Sequence, residues 1–289
     1  MKHIKYFIAA IIMSFTSLLS AETLADPDFY IYLCIGQSNM EGNAFIEDID
    51  REGVPDRFLM MAATDFSDPE RRRGEWYTAC PPLVREHTGL TPMDYFGRTM
   101  VANLPANVRV GVVSVAVGGC RIEHLDKDFD PESLGNEAEW FKGFMSAYDN
   151  RPYDRLVSCA RKAQESGVIK GILLHQGESN NGDTEWCSKV KKIYTDILSD
   201  LGLEADSVPL IAGEVVSPEQ GGICGAMNEI INNLPNEITT AKVVSSKDLP
   251  QRGDGLHFTA EAYRTLGRRY AGAVLAAMGI PVGATIHNK

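Results

Sequence analysis

Five runs of apolar, partly β-branched residues punctuate the chain: FYIYLCI from Phe29, VRVGVVSVA from Val108, VIKGILLHQ from Val168, VPLIAGEVV from Val208 and AKVVSS from Ala241. Near-continuous apolar character over such lengths suits strands covered on both faces, as in a parallel sheet. Between the runs lie DYFGRTMVANL from Asp94, YDRLVSCARKAQESG from Tyr153, TEWCSKVKKIYTDILSDLG from Thr184 and TAEAYRTLGRRYAGAVLAAMG from Thr259. Their apolar residues recur at three- and four-residue intervals, which predicts helices with one buried face. Thr259, followed by Glu261 and Ala262, reads as the N-cap and first turn of the last of these. Strands alternating with helices predict an α/β fold, a three-layer, doubly wound, mostly parallel sheet of five strands. Residues 41–92, with DFSDPERRRGEW among them, follow neither period and read as a functional loop layer over the sheet.

The first residues follow a different rule. Lys2 and Lys5 precede an apolar stretch over residues 6–19, and Ser20 and Ala21 offer a small-residue cleavage site. Residues 1–21 are therefore expected to be a secretory signal peptide, and residues 22–289 one domain. The leader is of bacterial style and no lipobox cysteine lies near the cleavage site, so the expected location is periplasmic or extracellular, with no membrane attachment after cleavage. The formal net charge is −11, and loss of Lys2 and Lys5 makes it −13. An acidic surface with no basic run beyond Arg71, Arg72 and Arg73 argues against nucleic acid as a partner. Export permits disulfides, but six cysteines in no C-x-x-C spacing assign none, and Cys34, inside an apolar run, reads as a small buried hydrophobe.

In an open α/β sheet, ligands bind outside the carboxyl ends of the strands. The first three apolar runs end there in GQSNMEG, VGGCRIE and HQGESNNGD, and a further polar cluster, RGDGLHFTAEAY, precedes the last helix. A serine hydroxyl needs a base to take its proton, usually a histidine oriented by a carboxylate. Of the five histidines beyond the leader, His257 is the best placed, because Asp254 stands three residues before it in a glycine-containing turn. Ser38 is the candidate nucleophile. Glu178 is a second candidate for the orienting carboxylate or a structural partner of its loop, and His175 reads as a structural hydrogen-bonding residue. Donors for a developing oxyanion are available from the Ser38 N–H, from Gly118 and Gly119, whose missing Cβ allows close approach, and from the Gln176 amide.

Four blocks, GQSNM at Gly36, AVGG at Ala116, HQGES at His175 and DGLHF at Asp254, together resemble the SGNH hydrolase superfamily. Within it they resemble the sialate O-acetylesterase-like group that includes carbohydrate esterase family six. The resemblance implies a flavodoxin-like SGNH fold and a serine esterase that removes acetyl groups from carbohydrate hydroxyls without a metal or other cofactor. Carried over by motif, Ser38 is the nucleophile, His257 the base, and Asp254 or Glu178 the third member, with Asp254 preferred for its fixed local separation. The oxyanion hole falls to Ser38, Gly119 and Gln176, the last standing where the superfamily has asparagine. Asn39 is expected to brace the serine turn, and Asn39, His175 and Trp76 are candidate substrate-binding residues. The resemblance favours acetylated xylan or a related plant polysaccharide as substrate, with acetylated sialic acid the alternative; arginines 71–73 turned into the site would favour the anionic sugar. Two further readings are a metal hydrolase using His175, Glu178 and His257, whose spacing matches no common helical zinc motif, and a non-catalytic carbohydrate-binding protein of the same fold. Oligomeric state is not encoded in any of these features.

Overall fold

The structure is a computed structural model and describes residues 24–281 and 283. The expected leader lies outside the described residues. The apolar run at Phe29 forms β1 (Phe29–Gly36), whose alternate side chains serve two cores. Ile31, Leu33 and Ile35 point to one and Tyr32 and Cys34 to the other, all at most 5% exposed. That two-sided burial is why the run shows no polar alternation.

Among the described residues seven strands form one sheet, in the order β3 (Trp76–Thr78), β2 (Phe58–Met61), β4 (Arg109–Ala116), β1, β5 (Val168–His175), β6 (Leu210–Gly213) and β7 (Lys242–Val244). The five expected runs supply β1, β4, β5, β6 and β7, which pair in parallel. The expectation of five strands is corrected by β2 and β3 from the presumed loop layer. At four and three residues they are too short for periodicity to reveal. β2 runs parallel to β4, and β3 adds an antiparallel edge.

The remaining chain contributes α1 (Ser38–Glu41), α2 (Asp48–Arg51), α3 (Pro92–Asn103), α4 (Glu139–Ser146), α5 (Pro152–Gln164), α6 (Trp186–Leu201), α7 (Met227–Ile231), α8 (Leu234–Glu237) and α9 (Ala260–Ala277). α3 and α9 pack on the Tyr32 face; α5 and α6 cover the Leu33 face. α3 begins at a capping box, Thr91 with Asp94, and Pro92 fills a position where a missing N–H is harmless. α9 begins as the sequence predicts, the Thr259 side chain accepting from the Ala262 N–H at 3.2 Å. Both faces of the sheet are thus closed, which leaves the carboxyl ends of β1, β4 and β5 as the place where polar loops converge.

Candidate active site

At the carboxyl end of the sheet, Gly36 of β1 stands opposite His175 of β5. A Cβ on Gly36 would stand 2.1 Å from the His175 carbonyl oxygen, so only glycine fits there. Immediately beyond it, Gln37 leads into α1 and Ser38 becomes that helix's first residue. The Ser38 hydroxyl lies 2.9 Å from His257 Nε2, and His257 Nδ1 lies 2.8 Å from Asp254 Oδ2. Ser38, more than 200 positions from the local pair Asp254 and His257, thus joins them in one hydrogen-bonded chain.

Asp254 is held by its own turn. Its Oδ1 accepts the N–H groups of Leu256 at 2.9 Å and His257 at 2.8 Å, and its Oδ2 also accepts from Arg252 Nε at 2.9 Å. Burial alone would raise its pKa, but the His257 and Leu256 backbone donors, the His257 ring and Arg252 outweigh it and hold the carboxyl well below the usual range. It is therefore a carboxylate at any pH where an imidazole titrates.

Glu178 stands elsewhere. Its Oε1 accepts from Asn39 Nδ2, its Oε2 is buried without a partner, and no hydrogen bond joins it to His257. Burial pushes its pKa up to about 7 against the opposing donors of its own loop and Asn39. Between the two carboxylates left open by sequence, Asp254 is the one bonded to the imidazole.

Asn39 braces the serine turn. It is fully buried, donates to the Leu256 carbonyl at 2.9 Å and accepts from the Tyr263 hydroxyl at 2.6 Å, so α1 is tied to the His257 loop and to α9. The expectation that Asn39 also contacts substrate is corrected by that burial. His175 is likewise fully buried; its Nδ1 faces the Tyr270 hydroxyl at 3.1 Å, its ring packs edge-on to Phe258, and burial holds its pKa down to about 3. No hydrogen bond joins it to Glu178 or His257, and among the described residues no group of three or more His, Cys, Asp or Glu is arranged to hold a metal ion.

Two further expectations change. Gln176 is 1% exposed, its amide nitrogen donating to Asn180 Oδ1 at 2.7 Å, Gln37 Oε1 at 3.1 Å and the Cys120 carbonyl at 3.3 Å, while its oxygen accepts from the Trp186 indole. It builds the floor beneath the site and has no donor left for a substrate. Trp76 lies on edge strand β3, against Phe29 at 4.8 Å and hydrogen-bonded to Ser166, away from the catalytic pocket. The amide that does reach the pocket is Gln37. Its oxygen accepts from Gln176 Nε2 at 3.1 Å and from the N–H groups of Gly177 and Ser179, both at 3.3 Å, which leaves the nitrogen as its free end.

The pocket over Ser38 has a volume of about 720 Å³. Gly118 and Gly119 border it, Gly119 with a left-handed φ of +77°. Trp140 and Phe144 of α4, Arg85, Glu41 and Ile223 complete much of its wall. None of these five was singled out in the sequence; the only advance sign was Trp140 and Phe144 at a four-residue spacing beside the equally apolar Phe141 and Met145. Arg85 is salt-bridged to Glu41 and stacked on Phe144 at 4.7 Å.

An open α/β sheet covered on both faces, with a serine, an imidazole and a carboxylate in line at its carboxyl edge, defines the class, an α/β ester hydrolase. The chain belongs to the family described as carbohydrate esterase, sialic acid-specific acetylesterase, whose model matches residues 28–276. It is a carbohydrate acetylesterase of that sialate O-acetylesterase-like family. A probable carbohydrate esterase of Arabidopsis thaliana is 26% identical over 264 residues, 86% of this chain and 91% of that protein. Among solved structures, NanS superposes with a TM-score of 0.64 at 18% identity, over 86% of this chain and 98% of that one. A carbohydrate acetylesterase from Xanthomonas citri gives 0.61 at 18%, over 86% and 56%. These structural likenesses speak for the fold.

Proposed function

We propose that the protein removes O-acetyl groups from neutral carbohydrate, such as acetylated xylan, by two-step acyl transfer through Ser38. The observation that carries this reading is the chain of hydrogen bonds from Ser38 through His257 to Asp254 at 2.9 and 2.8 Å. His257 Nε2 takes the serine proton as Oγ attacks the acetyl carbonyl, and Asp254 holds the opposite ring nitrogen and steadies the imidazolium that forms. The oxyanion meets the Ser38 N–H, which has no intrahelical acceptor at the first position of α1, the Gly119 N–H and the Gln37 amide nitrogen. His257 then protonates the departing sugar oxygen, and water, deprotonated by the same nitrogen, releases acetate.

Electrostatics supports the neutral sugar. Among the described residues lining the pocket, Arg85 is the one Lys or Arg, and Glu41 already occupies it. Arg71 spends its guanidinium on the Cys80 and Pro82 carbonyls, Arg72 pairs with Glu70, and Arg73 with Asp149. Glu86 adds a carboxylate to the wall. A sugar carboxylate would find no unpaired cation there. The second reading, acetylated sialic acid, is favoured by the description of the matched family. Export to the periplasm or beyond, resting on residues 1–21, is part of the same proposal, since polymeric xylan is met outside the cell.

The test is acetate release from acetylated xylan and, separately, from 9-O-acetylated sialic acid by the mature protein and Ser38→Ala. The expected result is release from xylan that falls by at least about 10⁴-fold in the variant. Undiminished release by Ser38→Ala would overturn the mechanism; release from sialic acid alone would overturn the substrate.

A further inference from the structure

α4 has two apolar sides, and only one has a structural use. Phe141 and Met145 are buried against the core, at 3% and 0% exposure, whereas Trp140 is 57% exposed at the mouth of the catalytic pocket. A large indole left in water beside a reaction site is a feature suited to be covered by a ligand.

Its surroundings fix it as a wall. The Trp140 ring meets Phe144 at 5.6 Å and Phe141 at 5.7 Å, both edge-on, and Phe144 in turn carries the Arg85 guanidinium on its face. The indole also abuts the oxyanion turn: a Cβ on Gly119 would come within 2.7 Å of its ring. Across the pocket Ile223, 67% exposed, is tied to the loop of the base, its N–H donating to the Gly255 carbonyl at 3.0 Å. The site thus lies between an exposed aromatic on the oxyanion side and an exposed aliphatic on the histidine side.

An acetyl group alone does not need a cavity of about 720 Å³. Pyranose rings present faces of C–H groups that pack on aromatic planes, and edges of hydroxyls that need polar partners, which Asn43, Thr88 and Glu86 offer along the same pocket. We infer that Trp140 is the sugar-stacking residue of this esterase, holding a neutral pyranose ring of the acetylated chain beside the Gly119 turn. The inference rests on the carbohydrate reading above and adds to it the residue that selects the sugar.

The test separates the two. Ser38→Ala protein, which holds substrate without turning it over, is titrated with acetylated xylo-oligosaccharide by calorimetry and by intrinsic fluorescence. The chain has three tryptophans; Trp186 is fully buried and Trp76 is packed on Phe29, so a fluorescence change on binding that is lost with Trp140→Ala reports Trp140. The expected result is a fluorescence shift, an affinity at least ten-fold weaker in Ser38→Ala/Trp140→Ala, and recovery of most of it with Trp140→Tyr. In the turnover-competent protein, Trp140→Ala is expected to lower the ratio of kcat/KM for the oligosaccharide to that for glycerol triacetate by ten-fold or more. Equal affinity with and without the indole, or an unchanged ratio, would overturn the inference while leaving the esterase reading in place. Absence of any oligosaccharide binding, with glycerol triacetate still hydrolysed, would overturn both the stacking role and the choice of substrate but not the acyl-transfer chemistry.

Discussion

Two carboxylates near one histidine have opposite electrostatic lives. Asp254 receives two backbone N–H groups and a guanidinium and stays charged; Glu178 is sealed with one oxygen unpartnered and leans toward the neutral form. If Asp254 orients the imidazole, Asp254→Asn should lower kcat on the order of 10³–10⁴-fold by offering the wrong hydrogen-bonding pattern to His257 Nδ1, as measured by acetate release. Glu178→Gln should retain activity to within roughly ten-fold, since its carbonyl can still accept from Asn39; the reverse ranking would make Glu178 the orienter. The same variant tests Glu178 as a source of strain. Its folded pKa, about 7, lies above the ordinary 4.5, so the stability it contributes is present below about pH 4.5 and lost as pH rises through about 7. Glu178→Gln should match the parent in denaturant unfolding at pH 4.5 and exceed it at pH 8 by on the order of 1–3 kcal/mol. Equal stability at both pH values would mean that the carboxylate is solvated.

At the scale of elements, legibility followed length and locality. Eight-residue strands such as β1 and β5 declared themselves, because both faces are buried and the whole run is apolar. β2 and β3 did not, because four and three residues carry no period. Ser38, Asp254 and His257 were readable because each sits in a short polar block next to an element boundary. Gln37 and Gln176 were not separable: two identical amides lie at two strand ends, and only tertiary packing decides which is buried as floor and which faces the pocket. Trp140 was equally hidden, since exposure on an eight-residue helix is set by what fails to cover it. Arg85 shows what the 41–92 segment does besides adding strands: it binds Glu41 of α1 and stacks on Phe144 of α4, joining the nucleophile's helix to the aromatic wall. With side chains 14% and 6% exposed, this is a buried pair, and its rupture should be felt. Arg85→Ala, leaving Glu41 buried and unpaired, should destabilise by about 3 kcal/mol in urea unfolding, and adding Glu41→Gln should restore part of that. A loss below about 0.5 kcal/mol would class the pair with ordinary surface bridges.

Across the whole molecule, charge adds a slower and longer-ranged selection to the one made in the pocket. The chain carries 39 acidic against 28 basic residues, and the acidic groups at the pocket wall have no excess of cations to offset them. An anionic substrate must therefore approach against a repulsive field, whereas a neutral one feels none. That field decays over a Debye length of about 10 Å at 0.1 M salt, so raising ionic strength should help the anionic substrate alone. The expected outcome is that kcat/KM for a carboxylate-bearing acetylated sugar rises roughly two- to five-fold between low and physiological salt, while that for a neutral acetylated xylo-oligosaccharide stays flat. A fall in the anionic rate with salt would mean that a cation attracts the sugar carboxylate, which Arg85 could supply only by leaving Glu41; the sialic acid reading would then displace the neutral one.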